Sequence, residues 1–332
     1  MKLKAGFFHS LIVVAVIYHG YAPARADEPS DGRNLLRLIA EEQQRNIDKL
    51  PPLKWSNILS SKVLVPGKER ESINERVNIR SGNRGWARLA VRWQEGGPWQ
   101  EDTSVVVWND RYVAKFHTYA PRATMWEFDS PASMHETASR TRSSAGAYPE
   151  RVCAFGHLGK TLLEWLEDEG FSSMPVKVSR EGESATDMRY RVELFQSGQP
   201  YPSIEWSVDP NRGYMIVAGA LRHVGLGYKK MEYTVSGREV APGVWFPTQW
   251  KKIHYGEPDP ATGQQAIVKT DDWDATELEV NPEITDSQFE WSALELKPST
   301  EVWRNDARGE LTRMRIVSGE LVPISLTTTN SK

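Results

Sequence analysis

The sequence predicts an α+β protein built on one antiparallel β-sheet that curls or closes, with two helices packed on it. Three observations predict this. From about Trp55 onward, apolar residues alternate with polar ones in short runs, the period of a strand buried on one side. Turn residues punctuate these runs at close intervals, as in hairpins. Only two stretches carry a helical period.

The chain opens with Lys2 and Lys4, an apolar run from Ala5 to about Tyr18, and the small-x-small exit Ala24-Arg25-Ala26. These are the three parts of a secretory leader. The apolar run is shorter than the ~20 residues a membrane-spanning helix needs. Residues 1–26 are therefore read as a cleavable signal peptide, with a soluble protein, periplasmic or secreted, after it.

Residues 27–32 are polar, and Asp31 is placed to cap a helix over 33–50. Leu36, Ile39, Gln43, Ile47 and Leu50 recur at steps of three and four along it. Glu41 and Arg45 stand four apart in the favourable order, and Pro51-Pro52 ends the helix. Strand parity follows. Ala87, Leu89, Val91 and Trp93 share one side, and Trp86, Arg88 and Arg92 the other. Asn109-Asp110 turns the chain between Val105–Trp108 and a strand bearing Tyr112, Ala114, Phe116 and Thr118. Thr124, Trp126 and Phe128 make another short strand. Residues 129–150 lack a period and read as a long loop. A second helix is expected over 158–169, on Leu158, Leu162, Trp165 and Leu166.

Strands then resume. Met188, Tyr190, Val192 and Leu194 alternate with charges, as do Ile204, Trp206 and Val208 with Ser203, Glu205 and Ser207. Tyr214 to Leu221, Met231 to Val235, Val244 to Tyr255 and Gln264 to Val280 continue the pattern. One apolar side per strand means cover on one side only, so the arginines of the other side face water. Residues 27–326 read as a single domain and 327–332 as a frayed tail.

Cleavage after Ala26 leaves 306 residues, with 38 basic against 44 acidic, a charge of −6 with His neutral. That balance argues against a nucleic-acid partner. The one cysteine, Cys153, excludes an internal disulfide and reads as a small buried hydrophobe. A chain of this length buries a core without cross-links.

No motif supports catalysis. Residues 154–161 match a loose phosphate-binding loop, yet no parallel βαβ sheet surrounds them. His117, His135, His157, His223 and His254 lack ligand spacing, so no metal and no cofactor is expected. Asp271-Asp272-Trp273-Asp274 is the best carboxylate cluster for a glycan-active enzyme, but that chemistry needs two acids set across a cleft. No G-x-S-x-G stands in the chain. The remaining signal is aromatic. Of thirteen tryptophans, several fall in strands. Trp93, Phe116, Trp126, Trp206, Phe246 and Trp250 are the candidate lining of a ligand cavity, with ordinary core as the other reading.

Glu205-Trp206-Ser207-Val208-Asp209-Pro210-Asn211-Arg212-Gly213-Tyr214, Gly243-Val244-Trp245-Phe246-Pro247-Thr248 and Val280-Asn281-Pro282-Glu283-Ile284-Thr285-Asp286-Ser287-Gln288-Phe289, followed by Pro298 to Val302, are similar to phrases in exported bacterial proteins. The family is that of the outer-membrane lipoprotein-sorting carriers and their LolA-like and LppX-like relatives. The resemblance implies a half-open antiparallel β-barrel, with helices covering its concave side and an apolar cavity for lipid. The expectation is a non-enzymatic, monomeric carrier or binder of a lipid acyl chain or other hydrophobic small molecule. The alternative is a cell-envelope structural or protein-binding module with a self-plugged barrel. No residue role transfers from the family.

Overall fold

The computed structural model describes residues 30–82, 84–117, 122–128, 161–167, 171, 173–182, 184–298 and 300–324. The leader at 1–26, the loop at 129–150, Cys153, residues 154–160, His135, His157 and the tail at 327–332 lie outside the described residues.

Helix α1 spans Ser30–Asp48. It starts before Asp31, so that residue lies in its first turn rather than at its cap. Arg37 pairs with Glu41 at 3.4 Å, and Arg45 with Glu42. The expected Glu41–Arg45 pair is thus replaced by one pair of the same four-residue spacing, Arg37–Glu41, and one a residue closer, Glu42–Arg45. The second helix is a single described turn, α2 (Leu162–Leu166). Thr161 opens it with a capping box: its hydroxyl accepts from Glu164 N at 3.2 Å, and Glu164 accepts from Thr161 N at 2.6 Å. Both bonds satisfy donors that a helix start leaves open.

Among the described residues, sixteen strands form one curled sheet. The first six are β1 (Leu53–Val63), β2 (Arg70–Ser81), β3 (Arg84–Gln94), β4 (Gln100–Trp108), β5 (Tyr112–His117) and β6 (Arg122–Glu127). After α2 come β7 (Val176–Glu181), β8 (Arg189–Leu194), β9 (Ile204–Asp209), β10 (Met215–Arg222), β11 (Lys229–Ala241), β12 (Val244–Pro258) and β13 (Gln265–Val280). The last are β14 (Glu301–Asn305), β15 (Leu311–Val317) and β16 (Glu320–Pro323). The spatial order is β16-β15-β14-β6-β5-β4-β3-β2-β1-β13-β12-β11-β10-β9-β8-β7. Two hairpin meanders thus join through the β1–β13 pair. Among the described residues every pair is antiparallel, as the hairpins predict, except β14 with β6. The crossover from β13 travels far enough to return in the same direction, which a tight turn cannot do.

Cross-strand partners point to the same side of a sheet, so the register defines two faces. One carries Leu53 and Trp55 of β1, Val192 and Leu194 of β8, Trp206 and Val208 of β9, Tyr233 and Val235 of β11, and Trp250 and Trp273 of β12 and β13. These form the main core with Leu36, Ile39 and Ala40 of α1 and Leu162 of α2. It is called the α1 face below. Asn46 fixes the end of α1 through Trp245: its Nδ2 donates to Trp245 O at 2.9 Å, and its Oδ1 accepts from Trp245 N at 2.9 Å.

The opposite face is covered elsewhere, at β4–β6. The crossover forms 3-10 turns at Asp286–Phe289 and Trp291–Leu294. Leu294 packs there against Val107, Tyr112, Ala114 and Met125. Tyr112 donates its hydroxyl to Glu290 at 2.6 Å and accepts from Trp291 N at 2.7 Å. Over β8–β10 the same face carries charge: Arg191 reaches Glu193 at 3.2 Å and Glu205 at 3.0 Å, and Arg222 reaches Glu205 at 2.7 Å. Arg88 and Arg92 are exposed, as their strand parity requires.

Glycine is required at one cross-strand pair in particular. Gly85 stands opposite Trp108, and a Cβ there would meet the Trp108 ring at 2.0 Å.

Candidate functional site

The α1 face is built in register rows that can be followed from strand to strand. Leu59, Trp273, Trp250 and Val235 form one row across β1, β13, β12 and β11. The Trp250 and Trp273 rings stack nearly parallel, 6° apart in plane and 6.4 Å between centroids. Trp55 packs edge-on against Phe246 at 5.3 Å. Aromatic pairs in these offset and edge geometries add to their burial energy. The result is a continuous apolar floor, to which α1 contributes at the Trp55–Phe246 end.

The next row is mixed. It runs Ser61, Asp271, Lys252, Tyr233, Gly219, Trp206, Val192. Asp271 is only 3 % exposed. His254 Nε2 lies 3.0 Å from it, and Lys269 Nζ donates to it at 2.9 Å. Burial pushes the Asp271 carboxyl up, but hydrogen bonds from His254 and Ser61 and the Lys269 charge outweigh burial and hold it well below the usual carboxylate range. Lys252, also buried, places Nζ 4.4 Å from the Trp250 ring centroid, a cation–π distance.

A second polar group lies on the same face, beyond β1. Asn57 faces Arg76 of β2, and their row continues through Leu89 and Ser104 to His117 of β5. The neighbouring row runs Trp55, Asn78, Ala87, Val106, Lys115. Asn78 Nδ2 donates to Asn57 Oδ1 at 3.0 Å. Burial lowers the Arg76 guanidinium to about 10, so it stays charged at neutral pH. Burial lowers the Lys115 ammonium, with Asp102 opposing and the Arg76 charge assisting. Burial and the Lys115 charge also lower His117, against the pull of Asp102.

The six aromatics read from the sequence divide as follows. Trp206, Phe246 and Trp250 belong to the main core, in one cluster with residues of α1 and α2. Trp93 and Trp126 share the α1 face, paired into it through Ser72 and Val113, and Trp126 packs with Trp108 and Val113. Phe116 does not join them. It pairs with Val105 and Ala123 on the opposite face and packs against Leu296 and Leu321. Its parity with Tyr112 and Ala114 already set that side.

Asp271 and Asp272 point to opposite faces, as neighbours in a strand must. Asp272 and Asp274 line a groove of about 450 Å³ on the face away from α1, with Ile58, Ser60, Thr234, Ser236, Gln249 and Lys251. Gln249 bonds Asp274 at 3.3 Å and Lys251 reaches Asp272 at 3.8 Å. Among the described residues, no three His, Cys, Asp or Glu side chains converge as metal ligands, and no helix is long and apolar enough to cross a membrane.

The sequence reading passed over the inward polar residues Asn57, Asn74, Arg76 and Asn78. Their signal was present: on β1 and β2 they occupy the parity of Trp55 and Leu59, where an apolar side chain is the rule.

No family model matches the chain, and no curated protein does. Solved structures do. A DUF1329 family protein from Desulfovibrio piger aligns at TM-score 0.41 and 11% identity, over 79% of this chain and 99% of that one. A putative outer membrane lipoprotein-sorting protein domain from Vibrio parahaemolyticus aligns at 0.40 and 9%, over 79% and 99%. A LolA superfamily protein from Nitrosomonas europaea aligns at 0.38 and 11%, over 78% and 98%.

Proposed function

We propose that the protein is an exported, non-enzymatic carrier or binder of a lipid or another hydrophobic molecule, held on the α1 face of its sheet. In this reading the α1 face is the concave side of a half-open barrel, residues 27–326 act as one unit, and residues 1–26 direct it to the periplasm or beyond.

The observation that carries the reading is the unbroken apolar row Leu59, Trp273, Trp250, Val235, flanked by Trp206 and Tyr233. The eight strands of this core, β1 and β13 to β7, span roughly 34 Å at ~4.8 Å spacing, whereas a helix with its side chains is about 10 Å wide. One helix laid across such a face leaves apolar width that a ligand can share.

The energetics agree. An acyl chain of ~14 methylenes gains roughly 11 kcal/mol on leaving water, at ~0.8 each. Association costs on the order of 4–15 kcal/mol. An apolar floor alone therefore holds one acyl chain weakly, and a second chain or a polar anchor tightens it.

The self-plugged module is the second reading, and one observation favours it. At the Trp55–Phe246 end the face is filled by the protein itself: Leu36, Ile39 and Phe246 are each 0 % exposed. The carrier reading places the ligand toward half-buried Leu59 and the Trp250–Trp273 pair, which it must uncover, the two rings being 8 % and 6 % exposed.

The test is the mass of the protein, purified gently from a bacterial periplasm, under native and denaturing conditions. Extra mass of lipid size that disappears on denaturation supports the carrier. A bare native mass with no uptake on incubation with lipid refutes it and leaves the module.

A further inference from the structure

Resting on the hydrophobic-ligand reading, we propose that Arg76 and Lys115 hold the anionic head of an amphiphile whose apolar part lies along Leu59, Trp273 and Trp250. The head chemistry is a phosphate, sulfate or carboxylate, recognised by charge and by amide donors.

Four observations carry it. First, placement: Arg76, Asn78, Lys115 and His117 all point to the α1 face, the side of the apolar floor. A solvated cation would take the opposite parity, as Arg88 and Arg92 do. Second, contiguity: Arg76 stands opposite Asn57, and two residues along β1 Leu59 stands opposite Trp273. From β2 to β12 is three strand spacings, roughly 14 Å, so a head at Arg76 puts a tail over Trp250.

Third, convergence and charge. The backbones of β2 and β5 are also about 14 Å apart, yet the Arg76 charge acts on Lys115. Arg76, Lys115 and His117 share this face with Asp102, whose Oδ2 lies 3.6 Å from His117 Nδ1. His117 and Asp102 keep 42 % and 25 % of their side-chain surface open, so solutes can enter. Fourth, Asn57 and Asn78 are 1 % and 0 % exposed, and their mutual bond leaves the Asn57 Nδ2 donor and the Asn78 Oδ1 acceptor without partners. Buried polar atoms are nearly always paired. A head group with both anionic and hydroxyl oxygens would satisfy both.

The experiment displaces the neutral dye Nile red from the mature protein with dodecyl phosphate, dodecanol or inorganic phosphate. K115M and R76M are compared with wild type and with K115R. Removing one half-buried cation can leave an acidic neighbour such as Asp102 uncompensated and destabilise the protein, so each variant is used only where an unchanged urea midpoint certifies the fold. Should R76M fail to fold, K115M carries the test.

The proposal expects dodecyl phosphate to displace the dye about tenfold better than dodecanol, from one charge-assisted hydrogen bond or more. K115M and R76M abolish that preference and K115R keeps it. Equal displacement by the two amphiphiles in wild type, or a preference that survives both methionine variants, overturns the head site while leaving the carrier standing. Displacement by neither overturns both. Competition by inorganic phosphate at the concentration of dodecyl phosphate assigns the cations to a free anion and overturns the amphiphile.

Discussion

Replacing Asp271 with asparagine removes one buried charge and almost no volume. In the native protein the carboxylate accepts from Lys269 at 2.9 Å and lies 3.0 Å from His254 Nε2. Hydrogen bonds to a charged group contribute roughly 1.5–3 kcal/mol each. Lys269 keeps a third of its side chain in solvent, which screens its share. The expected loss for D271N at pH 7 is therefore about 2–3 kcal/mol. The folded carboxyl is held below its ordinary range, so its stabilisation is full above the unfolded value of ~3.9 and is lost as pH falls toward the folded one. Below ~3.9 the loss approaches 1.36 kcal/mol per pH unit. Between pH 7 and pH 3 the gap between wild type and D271N should thus shrink by about 1 kcal/mol. Urea denaturation of both proteins at the two pH values, with slopes checked for equality, reads this directly. A gap that stays constant with pH, or a D271N as stable as wild type at pH 7, refutes the argument.

Three further outcomes are expected. Phe246→Ala removes a side chain that is 0 % exposed and packs on Trp55. It should cost about 3–5 kcal/mol in urea or thermal denaturation, and a cost under ~1 would show that the α1 packing is loose. Gly85→Ala drives a methyl group into Trp108 and should cost about 1–3 kcal/mol by overpacking, with a changed near-ultraviolet tryptophan signal. Trp250→Ala, at the end of the floor away from Phe246, should lower lipid retention in native mass spectra while the protein still folds. Unchanged retention would move the ligand off that row.

Much of the fold was legible because a strand shows its two faces in a period of two. Ala87, Leu89 and Val91 against Arg88 and Arg92 gave the sides of β3 correctly. Tyr112, Ala114 and Phe116 shared a side that the structure assigns to the face away from α1. Helix α1 was found from its period, with its start misplaced by a few residues. Residues 301–323 escaped, since β14 to β16 are short and β14 pairs with a strand more than 170 residues earlier. The helix over 158–169 survives within the described residues as the turn at Leu162–Leu166.

By itself the sequence determined the kind of element at most positions, the parity of each strand and the low charge that disfavours nucleic acid. Only the tertiary structure decided the order of the strands, the β1–β13 seam and the parallel placement of β14. It alone brought Arg76 and Lys115 onto the same face as Trp250, and Asp271 between His254 and Lys269. The physical reason is that periodicity reports a residue's relation to its neighbours within a few positions. Pairing between β1 and β13 joins residues more than 200 apart, and that choice is made by the sum of burial and hydrogen bonding over the whole sheet, which no local window contains.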